Sequence, residues 1–339
     1  MPMPPLASRQ ARSYTPAIML ARLLATLGRR APLILALGIF IGLASPGLAA
    51  YARPLLTPSV FAMLVVTMLR IDWPKVIEHA RRPGRLGLVQ GWVLIGCPLL
   101  MMLLVAPLDL PPGLKAAMVL YAAAPPLLTA PAIAVFSGLD SALALIAVVA
   151  AMFLYPIVLP PLALALLGID LEVGTADLML RLAGLIVGAF LLAMAIQKLA
   201  GKPRIKALSF HLDGMLVVLM IIFAIAAMDG VAARAIAEPG FVLMFVLASF
   251  AVNLGLQALS LLVFFPLPRI TRTTIALITG NRNFALLMAA LGTSADPDIF
   301  LYFAIGQLPI YLLPVVLQPV YRRLAGTQIQ APPSDTKIS

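Results

Sequence analysis

Apolar residues run along this chain in blocks long enough to cross a bilayer, a span that takes about 20 helical residues. Short polar stretches separate the blocks and hold nearly all of the charge. The pattern predicts ten spans: Ala31 to Ala50, Leu55 to Leu69, Leu86 to Ala106, Leu114 to Phe136 and Ser141 to Leu167 in the first half. The second half holds Leu178 to Gln197, Leu212 to Met228, Phe241 to Phe265, Thr274 to Leu291 and Ile299 to Val320. The expected fold is therefore all-α, a polytopic membrane protein with ten transmembrane helices over residues 31–323. Residues 1–30 read as a basic cytoplasmic extension with an interfacial helix from Pro16 to Leu27. Residues 324–339 are polar, contain Pro and Ser, and read as a disordered tail.

Two spans are broken by their own sequence. The fourth carries Pro125, Pro126 and Pro131, with Thr129 between them; the ninth carries Gly280-Asn281-Arg282-Asn283. Each is the fourth span of a five-span half. An odd number of spans per half forces the halves into opposite topology, so the arrangement predicts two inverted five-helix repeats with matching discontinuous helices, which in carriers mark a midplane binding site. The turns behind the breaks correspond as well, with Asp140 and Asp296 read as helix N-caps.

Composition agrees with this picture. The chain is 62% hydrophobic and 11% charged over 339 residues, against about 25% charged in soluble domains. Its net charge of +11 would fit nucleic acid, but the placement argues for topology instead. Of 24 basic residues, 19 gather on one side of the ten-span layout. They are the N-terminal arginines, the Arg70–Arg85 loop, Lys198–Lys206, Arg269, Arg272, Arg322, Arg323 and Lys337. Only Arg53, Lys115 and Arg234 fall on the other side, beside the acidic stretches Asp170–Glu172 and Asp296–Asp298. The positive-inside rule puts both termini in the cytoplasm. An alternative reads the first span as a signal peptide cleaved after Gly47-Leu48-Ala49, which would leave nine spans and spoil the alternation.

Chemistry-bearing residues inside spans are few. Cys97 is alone, so no intrachain disulfide or cysteine cluster forms. No metal-ligand spacing, nucleophile with an activating base, paired buried carboxylate or phosphate loop is present, and the chain does not read as an enzyme. Arg282 stands out, because a fixed charge at membrane depth is costly and marks a functional candidate by default. Asn281, Asn283 and Thr129 lie at the breaks and are the nearest polar candidates for substrate. Asn253 and Gln257 share one face of the eighth helix and serve either a cavity or interhelical hydrogen bonds. Gln307 and Gln318 face a cavity or satisfy kinked backbone. Tyr121 reads as packing or an interfacial anchor.

Three stretches resemble the bile acid:sodium symporter family and its bacterial organic-anion carriers: Pro54 through Arg70 into the Arg81-Arg82-Pro83 loop, Ala124-Pro125 through Asp140-Ser141-Ala142-Leu143, and Gly280-Asn281-Arg282-Asn283-Phe284-Ala285-Leu286. Gly280 and Asn283 fall on the family's Gly-x-x-Asn. The resemblance implies a panel of spans 1, 2, 6 and 7 and a core of spans 3–5 and 8–10. It also implies broken helices 4 and 9 crossing near the middle, and an anionic substrate beside the crossing in a bacterial-type inner membrane.

The chain departs from that family at the two sodium sites. The acidic ligand position falls on Ile278, the glutamine before the asparagine on Arg282, the fourth-helix Ser-Asn pair on Ala130-Pro131, and the third-span glutamine near Val93, with Gln90 a turn away. Oxygen ligands that a hard cation needs have mostly become carbon, and one permanent guanidinium stands among them. The expected protein is a sodium-independent uniporter or exchanger of a small or amphipathic organic anion. Arg282 would then replace bound sodium, holding the crossing or pairing with substrate, with capping of backbone carbonyls as the bland reading. Two alternatives stay open: a sodium symporter with shifted ligands such as Gln90 and Asn281, and a non-transporting sensor or scaffold. No cofactor is expected beyond that possible sodium. The lipid bilayer is the expected surrounding, with no nucleic-acid partner, and the sequence sets no oligomeric state.

Overall fold

The computed structural model describes residues 31–71, 73, 74, 76, 83–167 and 174–326. The basic extension over 1–30, most of the basic loop including Lys75, His79, Arg81 and Arg82, the Asp170–Glu172 stretch and the tail from 327 lie outside the described residues. Among those described there are helices and no strands.

The chain opens with α1 (Ala31–Ala44), α2 (Pro46–Ala52) and α3 (Leu56–Leu69). The predicted first span is thus cut at Ser45. That residue sits before Pro46 and takes φ −132°, because a following proline disfavours the helical region. A 3₁₀ turn over Arg53–Leu55 then leads α2 directly into α3. Next come α4 (Pro83–Gly91), a π-helical turn over Trp92–Gly96 and α5 (Cys97–Val105). The fourth segment is two pieces, α6 (Pro112–Ala123) and α7 (Ala130–Phe136). α8 (Ser141–Leu167) has the predicted bounds.

The second half runs through α9 (Thr175–Ala200), α10 (Lys202–Ala207), α11 (Ser209–Ala227), α12 (Val231–Ala237) and α13 (Pro239–Val263). The ninth segment is again two pieces, α14 (Arg269–Gly280) and α15 (Ala285–Leu291), starting earlier than the apolar block. α16 (Pro297–Val316) and α17 (Gln318–Ala325) close the chain, so helix extends two residues into the predicted tail. Asp296 caps α16 through the N–H groups of Asp298 and Ile299, and Asp140 accepts from Leu143 N–H at the start of α8.

Among the described residues, seven helical stretches are long and apolar enough to cross a membrane: α2–α3, Leu86 through α5, α8, α9, α11–α12, α13 and α16. Large apolar side chains such as Phe40, Leu103, Leu180 and Leu247 project outward from the described helices, as a lipid-facing surface requires. This is a polytopic helical membrane protein.

Two packed groups are evident. In one, α1 and α3 pack on α11 and α9 packs on α3; in the other, α5, α6, α8, α13, α14 and α16 enclose the breaks, and α8 packing along α9 joins the two. Lipid is as apolar as leucine, so helices associate by close packing rather than by hydrophobic burial. Gly38 and Gly42 show this. A Cβ on either would come within 2.8 Å of Ala224 or Met228, so both allow α1 to press against α11.

Candidate functional site

The two breaks meet. After α6, the prolines force Ala124 to an extended ψ of 151°. After α14, Asn281 is extended as well, at φ −96° and ψ 98°. The stretches lie antiparallel, with Pro126 opposite Arg282. Asn283 N–H donates to the Pro125 carbonyl at 2.7 Å, and Leu127 N–H donates to the Asn281 carbonyl at 2.9 Å. Pro126 occupies the pair that exchanges no hydrogen bonds, so its missing N–H leaves no gap in the bridge.

Arg282 is fully buried and reaches three carbonyls, each orphaned by a local break. Its Nε donates to Thr279 O, whose regular helical donor would be Asn283 N–H; that group is engaged with Pro125 instead. Its Nη1 donates to Ala124 O at 2.8 Å, where the prolines end α6. The same Nη1 donates to Val93 O at 3.0 Å. The third orphan arises from the π turn: Cys97 N–H bonds back to Trp92 O, so the next donor in that register would be Pro98, which has none. One guanidinium thereby satisfies stray acceptors from the third, fourth and ninth segments, a fit to its fixed fork of donors. Nη2 has no protein hydrogen-bond partner; Cys97, Tyr121 and Tyr155 are the polar groups that surround the guanidinium.

A second hydrogen-bonded chain braces the crossing from behind. Tyr321 OH donates to Gln257 Oε1 at 2.7 Å, Gln257 Nε2 to Asn253 Oδ1 at 2.7 Å, Asn253 Nδ2 to Tyr121 Oη at 3.2 Å, and Tyr121 OH to Gly280 O at 2.7 Å. Every link is buried, where an unmade bond is expensive. Gly280 is needed here because a Cβ would lie 2.3 Å from Gln257 Cγ and 2.8 Å from the Asn253 carbonyl.

The sequence-predicted residues separate into groups. Pro125, Pro126, Gly280, Asn281, Arg282 and Asn283 come together at the crossing. Asn253 and Gln257 serve interhelical hydrogen bonding and line no described cavity. Arg282, Asn281 and Asn253 have no exposed surface, so in this conformation Arg282 binds backbone rather than facing open space. Thr129 is exposed at the start of α7, and Asn283 is 9% exposed. Gln90 donates to Ala147 O at 2.8 Å, leaving its buried Oε1 without a partner, as is Asn281 Oδ1. Gln307 and Gln318 satisfy backbone, through Phe303 O and Phe136 O. Tyr121 is a hub of the crossing rather than a packing residue or an interfacial anchor. No group of three metal-ligating side chains occurs among the described residues.

Two cavities border the half-helices that follow the breaks. One of about 360 Å³ is lined by Pro131, Ala132 and Val135 of α7, with Ser141, Leu145 and Val76. The other, about 420 Å³, lies between Thr57 and Phe61 of α3, Arg181 and Leu185 of α9, and the end of α15 at Ala290 and Gly292.

Comparison with protein-family models and with curated proteins finds no match for this chain.

Proposed function

We propose that this protein is a sodium-independent secondary carrier of small or amphipathic organic anions, similar in design to the bile acid:sodium symporters. The observation that carries the proposal is Arg282. Its buried guanidinium binds carbonyls at Thr279, Ala124 and Val93, in the three segments where the resemblance locates sodium ligands. The fixed cation does the work of a bound ion by holding those acceptors at the crossing. On this reading the chain has ten spans in two inverted repeats. Spans 1, 2, 6 and 7 form the panel, and the basic ends face the cytoplasm across an inner membrane. The matched breaks α6/α7 and α14/α15 support the repeat, and the two packed groups support the panel and core. Substrate binds beside the crossing near Thr129 and Asn283, the candidates that keep exposed surface.

One observation favours a second reading, sodium symport with shifted ligands: the partnerless buried oxygens of Gln90 and Asn281. Flux of organic anions into proteoliposomes, with sodium or choline as the cation, separates the two. Equal flux in both salts supports the proposal, and flux that requires sodium overturns it in favour of symport. Absence of flux for all anions would leave a sensor or scaffold.

A further inference from the structure

Four arginines share one corner of the basic side, where α17 lies against α14. Tyr321 and Ala325, one turn apart, are the buried residues of α17, which leaves Arg322 and Arg323 to its flank and outer face. Arg322 Nη2 donates to Phe136 O at 2.8 Å. That carbonyl is left over where α7 ends, because the N–H groups of Gly138 and Leu139 bond back to Val135 and Ala134. Arg269, the first residue of α14, extends to the end of α17: a Cβ on Gly326 would lie 4.0 Å from its Nη1. Arg272, one turn further along α14, donates to Phe265 O at 3.0 Å and sits 4.9 Å from the centroid of that ring.

The corner carries charge of one sign without a counter-charge. Among the described residues none of the four forms an ion pair, and the side chains of Arg269 and Arg323 have no partner of any kind. The carboxylates on this side are engaged elsewhere. Asp140, whose N–H donates to Thr274 on α14, accepts from Leu143 N–H through its Oδ1, and Asp213 pairs with Arg70. Like charges held together repel, and an anion placed among them relieves the repulsion. The surroundings select which anion. Phe136 and Phe265, each in contact with one of the arginines through its carbonyl, are both 68% exposed, and Leu262 and Val320 also project outward. Lipid therefore reaches the guanidinium groups from the side, and guanidinium is the cation best matched to phosphate oxygens.

We propose that this corner is a headgroup site for an anionic phospholipid. Its phosphate is held by Arg269 and Arg323 in the field of Arg272 and Arg322, and its acyl chains lie on the apolar surface beside them. A lipid seated there also steadies the crossing, because α17 caps α7 through Arg322 and reaches the Gly280 carbonyl through Tyr321 and the chain behind it. The site stands without the carrier reading, and its test measures no transport.

Full-length protein in detergent is titrated with phosphatidylglycerol, phosphatidylcholine or inorganic phosphate while its melting temperature is followed. Phosphatidylglycerol should stabilise wild type well beyond phosphatidylcholine, and less so at high salt. Each arginine near a charged lipid surface contributes about a fivefold factor in binding. Arg269→Gln with Arg323→Gln should therefore need about thirty times more phosphatidylglycerol for half-maximal stabilisation. Shifts are read from each variant's own lipid-free value, so a variant of lower stability still reports. Lys198→Gln with Lys206→Gln removes the same charge from exposed positions elsewhere on the basic side and should leave the titration unchanged. An equal loss in the lysine variant would show that the basic side acts as a whole, and would overturn the site. Equal stabilisation by phosphatidylcholine, or none by either lipid, overturns it as well. Stabilisation by inorganic phosphate as strong as by phosphatidylglycerol would reassign the corner to a soluble anion and end the lipid proposal.

Discussion

Removing the Arg282 side chain tests the central argument. In Arg282→Met the volume is roughly kept while Val93 O, Ala124 O and Thr279 O lose their donor. An unsatisfied buried polar group costs about 1–3 kcal/mol. Two effects offset that sum: the charge no longer has to be desolvated, and water enters to reach some of the carbonyls. Replacing a whole buried ion pair with apolar groups is often neutral. That escape is closed here, because the partners are backbone carbonyls that no substitution removes. The expected loss is about 3 kcal/mol, set by the carbonyls that water fails to reach. At about 2 °C per kcal/mol for a chain of this size, the melting temperature of detergent-purified protein falls by about 6 °C.

The sodium argument is tested on the same instrument, in sodium chloride against choline chloride. Wild type should melt at the same temperature in both salts. The double change Ile278→Glu with Arg282→Gln restores the ligand types that the family resemblance implies, and it should melt several degrees higher in sodium than in choline. If Arg282→Met is as stable as wild type, the guanidinium does not hold the crossing. If sodium stabilises wild type as strongly as the double variant, fixed-charge replacement is wrong.

The Gly280→Ala methyl meets Gln257 Cγ and the Asn253 carbonyl, and overpacking of this kind costs about 1–3 kcal/mol, read as a lower melting temperature. Tyr121→Phe removes the donor to Gly280 O and the acceptor for Asn253 Nδ2; a loss of about 1–3 kcal/mol is expected by the same assay, and unchanged stability would show that the chain is not a brace. Thr129→Val and Asn283→Ala should reduce anion flux with little change in melting temperature. A fall in stability without a fall in specific flux would remove them from the site.

Hydropathy made the helices legible because lipid tolerates only long apolar stretches with satisfied backbone. The bounds of α8 follow directly from Ser141–Leu167. Proline and glycine placement revealed both breaks for the same reason: a missing N–H and a missing Cβ act locally. The partners of those breaks were not legible. Nothing in the one-dimensional pattern says that Val93 O is free, because that follows from a π turn placing Pro98 where a donor is needed. Tyr121 looked like one more aromatic near a span, since its role depends on Asn253 and Gly280, far away in sequence. Asn253 and Gln257 were correctly paired on one face, but only packing decides that this face meets Tyr121 rather than a cavity. The first span misled because Pro46 was counted within an apolar block, whereas its effect on Ser45 ends the helix.

The covalent anchoring of the charge at the crossing has an electrical consequence. A carrier that takes up two sodium ions with each monovalent anion moves net positive charge inward, and an interior-negative potential drives uptake. On the transport reading the guanidinium here belongs to the chain and would complete every cycle where it began, so the charge delivered across the membrane would be that of the anion alone. The same potential then pushes a monovalent substrate outward, by about 2.3 kcal/mol for each 100 mV. On the transport reading, uniport of such an anion in an energised cell runs toward export. Exchange for a second anion of equal charge would be blind to the potential.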